Sequence, residues 1–126
     1  MIVLDSGGLS RLSERTRRAV ALIGALRSEG LWPPVVPTVV LAESTSGRPR
    51  SDAAPNRFLK ACVLEPMVTE TVARRAGVLR AKAKRGSAVD AVVVALAEPG
   101  ATVVTSDRAD LEALAARADR VQIVVV

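Results

Sequence analysis

The chain has 126 residues, a net charge of +5 and a hydrophobic fraction of 49%, which together predict one folded domain over residues 1–126. No apolar run approaches the roughly 18 residues of a membrane span, and an acid at position 5 replaces the basic start of a signal peptide, so we expect a cytoplasmic protein. The absence of histidine excludes Ser-His-Asp and Cys-His catalysis within the chain. The single cysteine, Cys62, excludes an internal disulfide and is expected to be a buried structural thiol.

Strand and helix patterns alternate along the first half of the chain. Ile2–Leu4 is a short apolar strand, and periodic apolar residues predict an amphipathic helix over 16–29 that ends at Gly30. The elements predicted next are a strand at 35–36, a helix over 39–44 capped by Thr38, a mobile loop over 46–55 rich in proline and serine, a short helix over 57–60, and a strand at Val63–Glu65.

The second half continues the alternation. It predicts an amphipathic helix over 71–85, a buried helix over 87–98, a strand at 101–105, a helix over 107–116 and a last strand at 122–126. Strands that alternate with helices indicate an α/β fold, here a three-layer α/β/α sandwich with a mostly parallel, Rossmann-like central sheet. In such sheets ligands bind beyond the carboxyl ends of the strands.

Four carboxylates stand beside or inside apolar segments, where an acid is costly unless something cationic meets it. Asp5 and Asp107 follow strands, Glu43 follows an apolar run, and Asp90 is the one charge in an apolar helix. Singly, three of them have structural explanations: Asp5 as a turn or cap residue, Asp90 in a capping box with Ser87, and Asp107 as an N-cap. As a set, four acids would repel one another unless a cation neutralised them, so we predict that they hold Mg²⁺ or Mn²⁺.

The other charged residues are not predicted to belong to the metal site. One group of acids is expected to be solvated: Glu14, Glu29, Asp52, Glu65, Glu70, Glu98, Glu112 and Asp119. A group of basic residues lies at the C-terminus of one predicted helix: Arg80, Lys82, Lys84 and Arg85. Either a favourable interaction with the helix dipole or the binding of RNA phosphates near Asp90 explains their position. The net positive charge favours an anionic partner, although solubility alone also explains it.

The order of these motifs resembles the PIN-domain family, specifically its small bacterial toxin ribonucleases of the VapC type. The segment Val3-Leu4-Asp5-Ser6 is similar to the family's opening strand with its first acid, and Pro37 to Glu43 is similar to the segment with the second. The third and fourth acids stand in Ser87-Ala88-Val89-Asp90 and Thr105-Ser106-Asp107. The sequence departs from the usual pattern at Gly7-Gly8 and Ser44-Thr45, but because all four acids are present we expect an active protein.

The resemblance implies a PIN-like fold and hydrolysis of RNA phosphodiesters that depends on Mg²⁺ or Mn²⁺, with Asp5, Glu43, Asp90 and Asp107 as the catalytic and metal-binding residues. Ser6 and Thr105 are candidates to orient water or substrate, and Asp110 to support the metal ligands. It also implies a toxin–antitoxin pair, in which a small antitoxin protein covers the acidic groove, and a homodimer.

Two other functions are weighed against the ribonuclease. Aspartyl-phosphate chemistry is disfavoured because Gly7 occupies the place of the second acid of the phosphatase signature, and no lysine follows the strand at 101–105. The second alternative is a catalytically inactive PIN-like module that binds nucleic acid or a protein partner. Metal binding distinguishes it from the enzyme, because a pure binding module has no need of four clustered acids.

Overall fold

A computed structural model describes residues 1–126 and shows an α/β fold built on a five-stranded, all-parallel sheet. The strands are β1 (Ile2–Leu4), β2 (Val35–Pro37), β3 (Val63–Glu65), β4 (Thr102–Thr105) and β5 (Gln122–Val125). The helices are α1 (Ser6–Ser13), α2 (Arg17–Ser28), α3 (Leu41–Ser44), α4 (Pro49–Leu59), α5 (Glu70–Ala83), α6 (Ala88–Ala97) and α7 (Arg108–Ala115), with a 3-10 turn at Thr38–Val40 leading into α3. The predicted α/β class and parallel sheet are confirmed.

The strand order β3-β2-β1-β4-β5 places the first strand at the centre of the sheet. The chain moves outward from β1 to β3 and then returns to lay β4 on the other side of β1, so a crevice forms at the carboxyl ends of these two neighbours. Their register pairs Leu4 with Val104. The next residues along each strand, Asp5 and Thr105, therefore lie side by side at that edge.

One hydrophobic core holds the helices to the sheet. Its 21 buried residues come from all parts of the chain, including the whole of β1 and the inner faces of α1, α6 and α7. Helix α1 packs against α2, α3 and α4, whereas α5, α6 and α7 pack against one another. This grouping is consistent with a helical layer on each face of the sheet. None of the helices is both long enough and apolar enough to cross a membrane.

Helix α1 is absent from the elements predicted from the sequence. Asp5 was expected to be either a turn residue or a cap, and it is the N-cap of a helix that starts at Ser6 and buries Leu9 and Leu12. The glycines misled the prediction because glycine usually disfavours a helix. Here it permits close packing, since a Cβ at Gly8 would overlap the carbonyl oxygen of Val104 in β4.

The predicted mobile loop over 46–55 is also wrong, because α4 begins at Pro49 and continues to Leu59. Proline is well suited to the first turn of a helix, where its missing N–H has no partner to lose. Asp52, expected to be solvated, is only 7% exposed. Its carboxylate accepts hydrogen bonds from the backbone N–H groups of Ser46 and Gly47 at 2.8 to 3.1 Å. It thereby fixes the connection between α3 and α4.

Glu98 is the second acid wrongly expected to be solvated. The Arg75 guanidinium donates to both of its carboxylate oxygens, at 2.7 and 2.9 Å, and the Asp119 backbone N–H donates at 2.8 Å. The hydrogen bond from Arg75 lowers the pKa of Glu98. This pair ties α5 to the turns before β4 and β5, at the sheet edge opposite the candidate site.

Two smaller expectations have clear outcomes. Thr38 was expected to cap a helix, but its side chain makes no cap hydrogen bond and Pro37 occupies the N-cap position of the 3-10 turn. Cys62 is partly buried, and burial raises the pKa of its thiol to about 11. A thiol with such a pKa is protonated and unreactive at neutral pH, as expected for a structural cysteine.

Candidate active site

Asp5 is the most buried acid at the carboxyl edge of the sheet, with 3% of its surface exposed. One carboxylate oxygen accepts from the backbone N–H of Gly8 at 2.7 Å and so caps α1. The other accepts from the hydroxyl of Thr105 at 2.5 Å. Both contacts hold the carboxylate in one orientation, pointing between β1 and β4.

Thr105 connects Asp5 to Asp107. It is fully buried, and while its hydroxyl donates to Asp5 its oxygen accepts from the backbone N–H of Asp107 at 2.9 Å. Asp107 itself is exposed and is the N-cap of α7, accepting from the Asp110 backbone N–H at 3.4 Å. The structure therefore shows a hydrogen-bonded chain from the end of β1 to the start of α7.

Asp90 reaches the same edge from the first turn of α6. Its predicted capping box is present: the Ser87 hydroxyl accepts from the Asp90 backbone N–H, and the Asp90 carboxylate accepts from the Ser87 backbone N–H, both at 3.0 Å. Only one carboxylate oxygen is used in this way. The capping role and a ligand-binding role are therefore compatible, because the second oxygen has no protein partner.

The pKa of the Asp5 carboxyl is raised in the folded chain. Burial raises it, and the charges of Asp90 and Asp107 raise it further, while the hydrogen bonds from Thr105 and Gly8 oppose the shift. Charges act on a buried carboxyl in this way only at short range. Asp90 and Asp107 thus lie near enough to Asp5 for their charges to act on it, whereas Glu43 is not among the groups that do so.

Replacement of Asp5 by Asn is expected to make the free energy of unfolding less dependent on pH. Because the pKa of Asp5 is higher in the folded chain than in the unfolded one, its contribution to stability is complete below the unfolded-state pKa of about 3.9 and is lost as the pH rises through the folded-state pKa. Asn cannot ionise, so the stability of Asp5→Asn relative to the natural protein should increase with pH across that window. Urea unfolding in EDTA at a series of pH values measures this difference.

The matched control for this measurement is Asp119→Asn, which removes an exposed carboxylate that pairs only with Arg120. This variant should unfold with nearly the same free energy as the natural protein, because exposed ion pairs of this kind contribute little to stability. A constant difference between Asp5→Asn and the natural protein would contradict the raised pKa of Asp5.

Glu43 lies apart from the three aspartates. It is exposed on the one-turn helix α3, and its charge is not among those that act on Asp5. It lines a groove of about 480 Å³ whose other walls include Ser6 of α1 and Ser106 at the end of β4. Ser6 and Ser106 flank Asp5 and Asp107 in sequence, so the groove opens beside the aspartates.

The donor atoms suit a hard divalent cation, because all of them are carboxylate or hydroxyl oxygens. No three acids lie close enough in this structure to hold one ion. Burial is the largest cause of the raised pKa of Asp5, and the negative charges of Asp90 and Asp107 raise it further. A cation bound beside Asp5 would offset both effects, and the oxygen donors present are of the kind that Mg²⁺ and Mn²⁺ prefer.

The predicted basic group is partly engaged within the protein. Arg85 pairs with Asp110 at 2.7 Å, and the Arg80 guanidinium donates to the Gly86 carbonyl at 3.1 Å. Lys82 and Lys84 are exposed at the end of α5. Asp110 thus supports the start of α7 through Arg85, and the two lysines are the members of the group that remain available to an anion.

Comparison with known proteins leaves the family of the chain open. Neither protein-family models nor curated proteins gave a match to this sequence. The resemblance to PIN domains therefore rests on the sequence motifs alone.

The sequence prediction did not include most of the groove beside the aspartates. Ser10, Arg11 and Glu14 line it from α1, and Ser51 lines it from α4. Both helices were missed or shortened in the prediction, so there was no basis for placing these side chains on one surface. The i, i+4, i+8 spacing of Ser6, Ser10 and Glu14 is the signal that would have grouped them, had α1 been recognised.

Proposed function

We propose that the protein is a metal-dependent ribonuclease with a PIN-like fold, in which Asp5, Asp90 and Asp107 form the catalytic centre and Glu43 completes it. The observation that supports the proposal is the hydrogen-bonded chain from Asp5 through Thr105 to Asp107 at the carboxyl edge between β1 and β4, with Asp90 near enough for its charge to raise the pKa of Asp5. Structural capping explains each acid separately, but it gives no reason for their convergence.

The site residues have distinct tasks in this proposal. Asp5, Asp90, Asp107 and Glu43 would hold Mg²⁺ or Mn²⁺. When bound, such an ion supplies a water of lowered pKa and stabilises the negative charge that develops on the phosphate. No histidine base is then needed, in agreement with the composition of the chain.

Thr105 and Ser6 position other groups. The Thr105 hydroxyl is committed to Asp5 and fixes the orientation of its carboxylate, so we assign it a positioning role. Ser6 borders the groove next to Asp5, and in this proposal its hydroxyl would orient a water or a phosphate oxygen. Asp110 holds Arg85 beside the N-terminus of α7 and so stabilises the segment that carries Asp107.

The resemblance to VapC toxins also suggests a cellular role and protein partners. A VapC-like role makes the protein the toxin of a toxin–antitoxin pair, with a small antitoxin and a second copy of the chain as protein partners. The exposed positive charge of the chain suits association with RNA or with an acidic protein segment.

The test is cleavage of purified tRNA and rRNA by the natural protein in Mn²⁺, in Mg²⁺ and in EDTA. We expect cutting with either ion and none in EDTA, together with a rise in melting temperature on addition of Mn²⁺, since a ligand that binds only the folded state stabilises it. If the folded protein neither cuts RNA nor gains stability from either ion, the nuclease proposal fails and the inactive binding module replaces it.

A further inference from the structure

The groove beside the aspartates has one wall formed by a single face of α1. Ser6, Ser10 and Glu14 follow one another at intervals of four residues, and Arg11 lies next to them. Residues at this spacing point to the same side of a helix. The face therefore runs from the catalytic edge at Ser6 outward along the whole length of α1.

The opposite wall is formed by α3 and α4. Glu43 and Ser44 line it from α3, and Ser51 and Pro55 line it from α4. The buried Asp52 carboxylate binds the Ser46 and Gly47 amides between these two helices. Because this connection is fixed, the groove is a formed feature of the folded chain and does not depend on a ligand for its shape.

The lining of the groove is mostly polar: it carries two carboxylates, Glu14 and Glu43, and one arginine, Arg11, and the most frequent side chain is serine. Five of the nine serines in the sequence line it, and Leu9 is its one hydrophobic side chain apart from Pro55. The hydroxyls of Ser10 and Ser51 are on exposed residues and have no hydrogen-bond partner within the protein. Hydroxyl groups are frequent partners of phosphate and sugar oxygens, and contacts of that kind position a nucleic acid without reading its sequence.

Aromatic side chains, which stack on bases, are absent from the groove. The two aromatic residues of the chain, Trp32 and Phe58, pack edge to face with their ring centroids 6.0 Å apart, and neither lines the groove. The groove therefore offers no aromatic surface on which a base could stack.

Arg11 supplies a positive charge midway along the groove. It pairs with Glu14 at 3.6 Å, and both side chains are about half exposed. Such surface pairs contribute little, so a phosphate can displace the carboxylate. Beyond this pair, a second depression of about 300 Å³ shares Arg11 and Glu14 with the groove and adds Arg18.

We propose that this groove binds the sugar–phosphate backbone of single-stranded RNA, with Arg11 meeting a phosphate and the hydroxyls of Ser10 and Ser51 meeting ribose oxygens. The strand runs from the aspartates along α1 toward Arg18. The inference rests on the proposed ribonuclease function and adds to it a path for the substrate. A serine that meets the 2′-hydroxyl also gives a preference for RNA over DNA, since this hydroxyl distinguishes the two.

The test measures binding without cleavage, by fluorescence anisotropy of a labelled unstructured RNA and of the DNA of the same sequence, in EDTA. Arg11→Gln is expected to weaken RNA binding about tenfold and to lower the slope of log affinity against log salt by about 1. Glu14→Gln is expected to strengthen it. The double variant Ser10→Ala/Ser51→Ala is expected to reduce the preference for RNA over DNA about fivefold.

Each variant has a matched control elsewhere on the surface. Arg74→Gln removes an exposed arginine that pairs with Glu70 four residues away, and Glu29→Gln removes an exposed acid at the end of α2. Ser28→Ala removes a hydroxyl that bonds only within its own helix. All three should bind RNA as the natural protein does, apart from a small general effect of net charge.

The outcomes separate this inference from the proposed function. If the natural protein cuts RNA but the groove variants bind and cut as their controls do, the groove proposal is overturned while the nuclease stands. If RNA binding depends on the groove but no metal-dependent cutting occurs, the nuclease fails while the groove proposal stands. An absence of RNA binding by the natural protein overturns the groove proposal outright.

Discussion

Replacement of Asp90 by Asn is expected to reduce metal-dependent RNA cleavage by about 100-fold or more while the protein stays folded. The amide oxygen of Asn can still accept from the Ser87 backbone N–H, so the capping box at the start of α6 is kept. The variant loses the negative charge of Asp90, which acts on Asp5. It also loses the second carboxylate oxygen of Asp90, which has no protein partner. Initial rates on a fixed RNA substrate in Mn²⁺, with thermal unfolding of the same samples, measure both parts of the prediction.

Asp119→Asn provides the control for charge removal. Asp119 precedes β5 and therefore lies at the amino-end edge of the sheet, where its carboxylate pairs with Arg120. Its replacement removes the same charge from the chain and should leave the cleavage rate unchanged. Cutting by folded Asp90→Asn at the natural rate would remove Asp90 from the catalytic centre.

The general position of the aspartates was predictable because it follows from the topology of parallel sheets. The apolar runs before Asp5 and Asp107 identify strand ends, and carboxyl ends of parallel strands meet at one edge. The sequence did not show that β1 and β4 are neighbours. That pairing depends on the order of strands in the sheet, and it explains why Asp5 and Thr105 share a hydrogen bond.

The parts of the structure that escaped prediction share one physical cause. In each, a residue that usually disfavours regular structure has a role that only its tertiary neighbours reveal. Gly8 lies in a helix because β4 leaves no room for a side chain. Pro49 starts α4 because the first turn needs no N–H from it. Asp52 is buried because the amides of Ser46 and Gly47 face it. Local sequence patterns contain no information about these tertiary neighbours.

Replacement of Gly8 by Ala is expected to lower the free energy of unfolding by about 3 kcal/mol, which is the upper part of the usual range for overpacking. The added Cβ would overlap the Val104 carbonyl oxygen and lie 2.8 Å from its carbonyl carbon. Those are backbone atoms of a central strand, so no side-chain rotation relieves the overlap and α1 must move. Urea unfolding measures the loss, with Gly24→Ala as the control.

Gly24 is a suitable control because, unlike Gly8, it has free space where a Cβ would be added. It also lies within a helix, α2, but a Cβ there would meet nothing within 4 Å. Alanine is the better helix former, so Gly24→Ala should stabilise the protein by about 0.5–1 kcal/mol. Equal effects of the two changes would contradict the close packing of α1 on β4.

The consequences of Gly8→Ala should extend to the proposed function. The Gly8 amide holds the Asp5 carboxylate, and α1 carries Ser6, Ser10 and Arg11 along the groove. A displaced α1 would shift the carboxylate and the groove together, so Mn²⁺ and RNA should both bind less tightly to the variant even where it remains folded. Gly8 thus connects the packing of the core to the placement of the candidate site, because its backbone N–H binds Asp5 at the point where α1 packs closely on β4.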